Sequence, residues 1–289
     1  MSWLRIGTCS WKYNSWRGLI YPNKKSLNHL KEYAKVYDMV EVDQWFWSLF
    51  GTDKINLPLS RVVHEYKLSV PEEFIFTIKM PNSLTLTHFY RKVTGEPLQV
   101  NPYFFSIKLL NQFLATIEPL KNQMGSLMYQ FEYLNKQKMA SQYEFQKKFE
   151  EFLKNSPAEY PYAIEIRNPN YLNKRFFNFL NQNNLQFVFL QGYYMPSILD
   201  IYNKFRDQIL GTTVIRLHGG DRQEIEEKSG GQWDRILEPK DRELEQVVDM
   251  VRDLLAREVN VFLNVNNHYE GSAPITIRKL REIMGQTGF

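Results

Sequence analysis

Cysteine is almost missing: Cys9 stands alone among 289 residues. No internal disulfide and no multi-cysteine metal site can form from it, which favours a reducing, cytoplasmic setting. Long apolar runs are missing as well. The best stretches, such as Val259 to Val265, fall far short of the roughly 18 uncharged apolar residues needed to cross a bilayer. The amino-terminal MSWLRIGTCSW carries Arg5 inside its first apolar run. It has neither the basic-then-apolar order nor the small-residue cleavage site of a secretory signal, so no export and no membrane partner are expected. Charge of one sign is scarce too: 36 Lys and Arg face 32 Asp and Glu. The two signs interleave, and no concentrated basic stripe invites nucleic acid.

Several signatures are absent. No Gly-x-Gly-x-x-Gly follows the first apolar run and no Walker-type Gly-Lys-Ser/Thr occurs, which removes the usual dinucleotide and phosphate cradles. There is no Gly-x-Ser-x-Gly elbow, no His-x-His and no His-Glu-x-x-His. No cofactor is implied, and no residue is assigned to a metal.

What is present is core material: 43% of residues are hydrophobic and 15% aromatic. Short β-branched or aromatic runs occur at Leu4–Thr8, Met39–Val42, Phe74–Met80, Ser126–Gln130, Tyr162–Ile166, Gln186–Leu190, Thr213–Leu217 and Val259–Val265. Amphipathic stretches alternate with them, including Ser26–Tyr37 behind a Ser cap, Phe104–Ile117, Glu144–Leu153, Phe176–Asn181, Asp241–Arg257 and Pro274–Ile283. Eight strand–helix units in a chain of this length predict one (β/α)8 TIM-type barrel, a closed parallel sheet spanning residues 1–289. An open doubly wound sheet is the alternative. Two segments break the repeat and are candidate lids: Leu86–Tyr103, with Gly95 and Pro97, and Gly219–Pro239, with Gly230, Gly231 and Trp233.

Barrel chemistry gathers where strands end. Cys9 and Ser10 follow the first strand; Glu41 and Asp43 mark the second, Lys79 the third and Gln130 the fourth. Glu165 and Arg167 mark the fifth, Arg216 and His218 the seventh, and Asn264, Asn266 and Asn267 the eighth. Only the sixth lacks a polar end. Any one of these charges is equally read as half of a structural ion pair, but so many around one mouth point to a pocket. Lys79, Arg167 and Arg216 would host a small anionic or sugar-like molecule. Glu41, Glu165 or Asp43 would be the base and His218 its acid–base partner. Trp11 and Trp16 sit in a cluster with Trp3, Trp45 and Trp47 that either lines the pocket rim or plugs a barrel end. Cys9 reads as a small buried hydrophobe before a nucleophile.

The segments IGTCSWKYNSWRGLIYP, VEVDQWFW, FTIKMP, Thr87-His88, AIEIRNPNY, VIRLHGG and VNNHYEG, in that order, resemble the YecE-like family, the bacterial domain of unknown function number 72. The resemblance runs from about Ile6 to Gly271. It implies a barrel with a carboxyl-end pocket and no particular activity. It carries over to Trp11, Trp16, Arg17, Glu41, Lys79, His88, Gln130, Glu165, Arg167, Arg216, His218, Asn266 and Asn267. The chain departs from the family pattern at Asp43, where Asn is usual, at His268, where Asp is usual, and at YQFEYL, which lacks two prolines. The combined reading is a barrel enzyme doing general acid–base chemistry of the hydrolase, isomerase or lyase kind. The rivals are a non-catalytic metabolite binder and a metal-dependent nucleic-acid end-processing or sugar-isomerase-like enzyme. A homodimer is compatible with a barrel of this size.

Overall fold

In a computed structural model, which describes residues 1–24, 26–51, 54–90 and 96–285, eight parallel strands close on themselves. They are β1 (Leu4–Thr8), β2 (Met39–Val42), β3 (Ile75–Lys79), β4 (Met124–Phe131), β5 (Tyr162–Ile166), β6 (Gln186–Gly192), β7 (Thr212–Gly219) and β8 (Asn260–Val265). Each pairs with its neighbours in sequence, and β1 pairs with β8 to complete the barrel. The strands are buried on both faces, which is why they read as nearly continuous apolar runs.

Helices occupy most of the connections. Ile107–Ile117, Gln142–Lys154, Lys174–Gln182, Asp241–Ala256 and Ala273–Ile283 agree with the periodicity to within a few residues. The first helix is shorter than predicted, His29–Tyr33, and its cap is Asn28, not Ser26: the Asn28 side chain accepts from the Lys31 N–H at 3.1 Å. Helices at Ser60–Ser69, Ile198–Phe205 and Arg222–Ser229 were not anticipated. Among the described residues no helix is long and apolar enough to cross a membrane.

Inside the barrel Met39, Met128, Ala163, Val188, Val214 and Phe262 form an apolar plug. Trp3 packs edge-on against Phe262, ring centroids 4.7 Å apart, and covers the amino end. Side chains alternate in and out along each strand, so the next inward positions lie one level nearer the carboxyl ends. Except for Leu190 on β6, those positions are polar.

Both proposed lids are fastened down. In Leu86–Tyr103, Asn101 donates to the Ser83 and Leu86 carbonyls at 2.8 and 2.6 Å, and His88 bridges to Val100. Gly95 lies outside the described residues. In Gly219–Pro239, Trp233 is buried: its N–H donates to Ser15 Oγ and its carbonyl accepts from Trp16 Nε1, each at 3.1 Å. Trp233 is a fastening point between two loops and not the free lid that its neighbouring glycines implied.

Candidate functional site

Register brings the inward polar residues together. Gln130 pairs with Glu165, and Arg216 with both Leu190 and Asn264, so Glu41, Gln130, Glu165, Arg216 and Asn264 crown the plug. Arg216, 1% exposed, is the hub. Its Nε and Nη2 fork onto Glu41 at 2.8 and 2.6 Å, and its Nη1 donates to Glu165 Oε2. The other Glu165 oxygen accepts from Arg167 Nε at 3.2 Å. Burial by itself would raise the Glu165 carboxyl, but Arg216, Arg167 and Lys79 outweigh it and hold it below the usual range. Arg216, read from sequence as a ligand fork, is committed to two carboxylates. Glu41 and Glu165, read as bases, are its counter-ions.

Around this closed layer lie three groups without such matching. Lys79, the last residue of β3, places Nζ 4.0 Å from the centre of the Phe46 ring. Among the described residues it makes no hydrogen bond or ion pair, and Glu41 and Glu165 are both bound by Arg216. Burial, then Arg216, push it down to about 8, against Glu41, Glu165 and Asp43. Asp43 is pushed up to about 6 by burial and Glu41, against Lys79 and Arg216. Arg167 stacks over the Tyr193 ring at 4.7 Å, and its side chain is 28% exposed. Beyond Nε, its guanidinium donors have no hydrogen-bond partner among the described residues.

His218 is buried. Asn266 Nδ2 faces its Nδ1 at 3.3 Å, with the Tyr193 hydroxyl at 3.1 Å, which assigns the ring hydrogen to Nε2, 3.6 Å from Cys9 Sγ. Burial, then Arg216, Lys79 and Arg167, hold His218 well below its ordinary value, so it is a neutral imidazole at pH 7. Burial and Glu41 push the Cys9 thiol up, away from nucleophilic thiolate. The donor atoms of Cys9, Glu41 and His218 lie within 4.8 Å of one another. They do not fit a divalent cation: a metal would have to displace Arg216 from both Glu41 oxygens and deprotonate the thiol.

The sequence reading missed Tyr193. β6 runs two residues beyond its predicted end, through Gln191 and Gly192, and Tyr193 then supplies the polar end that this strand lacked. Tyr193 and Tyr194 both hold left-handed backbones, φ 53° and 61°. Two bulky residues in that region are strained, and such strain collects at ligand sites. A signal was available in the adjoining Gly192, at φ 127°, where an added Cβ would lie 1.9 Å from the Gly219 carbonyl oxygen.

Other candidates sit elsewhere. Arg17 braces its own loop through the carbonyls of Lys24 and Pro22. Trp11 and Trp16 are core residues, with Trp11 edge-on to Tyr66 at 5.1 Å. His88 Nδ1 meets Thr87 Oγ1 at 2.9 Å. Asn267 accepts from the Ala273 N–H at 2.9 Å, at the start of the last helix. Gln130 is buried facing the ion-pair layer, its Oε1 without a partner. Asn264 donates to Thr77 Oγ1 at 3.2 Å. A crevice too narrow to admit a water molecule lies beside β1 and β8, lined by Cys9, Ser10, Tyr13, Asn266 and Asn267 among others.

The chain matches the family described as "Protein of unknown function DUF72" over residues 5–288. Among curated proteins none matches. Among solved structures, a DUF72 family protein from Enterococcus faecalis V583 is 20% identical, covers 99% of this chain and 97% of its own, and superposes with a TM-score of 0.66. A second, from Thermotoga maritima MSB8, is also 20% identical, with 98% and 99% covered and a TM-score of 0.66. Identity this low speaks for the shared barrel and not for a shared activity. With its closed parallel barrel and a family match over nearly its whole length, the chain belongs to the DUF72 family.

Proposed function

We propose that the protein is a small-molecule enzyme that binds an anionic substrate through Arg167 and moves a proton between substrate and the pair Asp43 and Lys79. The observation that carries this reading is the sorting of charge at the mouth. Arg216 takes up Glu41 and Glu165, while Lys79 and the outer donors of Arg167 are left unmatched beside it. Incompletely matched cations at the carboxyl end of the barrel attract an anion.

Asp43 at about 6 and Lys79 at about 8 bracket neutrality. Near pH 7 the carboxylate is ready to accept a proton and the ammonium to give one, the arrangement that general acid–base catalysis favours. This is isomerase or lyase chemistry before hydrolysis. His218, neutral and held on both ring nitrogens, orients Tyr193 and Cys9 and is not the proton carrier. The buried, protonated Cys9 suits a cytoplasmic setting.

Thermal unfolding with inorganic phosphate, acetate, glyoxylate and 2-phosphoglycolate tests the reading. At one hundred times Kd a ligand stabilises by about 2.7 kcal/mol. At least one anion is expected to raise the Tm of the native protein and to lose that effect in Arg167→Ala. No shift with any of them, or a shift untouched by Arg167→Ala, overturns it.

A further inference from the structure

We infer that Lys79 is a covalent group: its Nζ forms an iminium with a short aldehyde or ketone that carries a carboxylate or phosphate. This rests on the reading above and names the substrate class for the same site.

The argument begins with what surrounds the amine. Lysines near carboxylates normally end in ion pairs, and this one lies within electrostatic reach of Glu41, Glu165 and Asp43. Among the described residues it pairs with none of them, and Arg216 binds the first two. The Phe46 face beneath Nζ offers the ammonium a cation–π contact but no hydrogen-bond acceptor and no counter-charge. Lys79 is only partly buried and is the last residue of its strand, at the carboxyl end of the barrel. An amine kept from acceptors and next to a second cation is the arrangement that frees a lone pair for nucleophilic use. At about 8, roughly a tenth of it is neutral at pH 7. Arg167, whose outer donors have no hydrogen-bond partner among the described residues, supplies the anchor for the anionic group.

The chemistry balances within these residues. Asp43 first takes a proton from the Lys79 ammonium; the freed lone pair forms a C–N bond to the carbonyl carbon as the carbonyl π pair moves to oxygen, which takes that proton from the Asp43 carboxyl. Asp43 then recovers a proton from the new ammonium nitrogen and returns it to the hydroxyl. Water leaves as the nitrogen lone pair closes the C=N bond. Amine, carbonyl and one proton become iminium and water, with no oxidant or reductant. The iminium acidifies the neighbouring C–H, and Asp43, now a carboxylate, is the base this proposal assigns to it.

Hydride trapping decides the matter. The full-length protein is incubated at pH 7 with pyruvate, glyoxylate or neutral dihydroxyacetone, with and without sodium borohydride, and its intact mass and peptide map are measured. The expected result with a keto acid is a borohydride-dependent gain of the acid's mass less one oxygen atom, located at Lys79. The gain should be absent from Lys79→Arg, which keeps the charge, and from Lys79→Met, with unfolding curves confirming that both variants fold. Arg167→Ala should lower pyruvate labelling about tenfold, the worth of one charge-assisted contact, and lower dihydroxyacetone labelling by less. No trapped adduct with any probe, or an adduct that persists in both Lys79 variants, overturns the iminium. If anions still stabilise the protein through Arg167 while nothing is trapped, the covalent step alone falls. If neither occurs, the anion pocket falls with it.

Discussion

Two regions meet in the barrel mouth and treat charge in opposite ways. In the inner layer Arg216 sits between Glu41 and Glu165, every one of the three is almost fully buried, and each guanidinium edge meets an oxygen. In the outer ring Lys79, Asp43 and Arg167 are partly exposed and incompletely matched, and the first two are displaced towards neutrality. Complete pairing is what burial demands of structural charges, since an isolated ion in the interior is very costly. Incomplete pairing lowers stability and persists where a ligand completes it. Charge in a cavity is therefore weak evidence of function until its partners are counted.

The largest test of this contrast is Arg216→Ala. It strands two carboxylates in the interior and should lower unfolding stability by about 3–5 kcal/mol in urea titrations. A loss below about 1 kcal/mol would break the contrast at its structural end.

Lys79→Met should act in the other direction and raise stability by about 2 kcal/mol at pH 7. Folding lowers this amine from 10.5 to about 8, so the folded state penalises the ammonium. The native protein gains stability as pH rises between those values, and the advantage of the variant should shrink over the same window. Asp43→Asn should give a smaller gain of about 1 kcal/mol. Here folding raises the carboxyl from 3.8 to about 6, so the native protein loses stability as pH rises through that interval and the gain is full only above it. Unfolding curves at pH 5, 7 and 9 separate the two; losses from both variants would show that the outer ring is structural as well.

The smallest stability effect belongs to Arg167→Ala, within about 1 kcal/mol, because its pairing with Glu165 is partly exposed and Arg216 remains. A loss comparable to that of Arg216→Ala would move Arg167 into the inner layer.

Much of the barrel was legible because parallel strands are short apolar runs with a strict alternation of two. Leu4–Thr8, Met39–Val42 and Tyr162–Ile166 match residue for residue. Strand ends were harder. β6 and β7 continue through Gly192 and Gly219, since glycine there marks a close approach and not a break; a Cβ on Gly219 would lie 2.3 Å from the His268 carbonyl oxygen. Arg222–Ser229 was invisible as a helix because only Ile225 and Ser229 face the interior, which leaves no apolar stripe to read. Tyr193 was missed for a related reason: its position depends on a left-handed turn that alternation does not encode.

By itself the sequence determined the barrel, its family and the list of polar residues at the strand ends, because side-chain alternation and strand count are local properties. The roles within that list were decided only in three dimensions. Glu41 and Arg216 are 175 residues apart, and nothing local says which carboxylate an arginine will take. Barrel closure made that choice, and by giving both inner carboxylates to Arg216 it left Lys79 without one, because a buried charge goes to the partner that register places within reach.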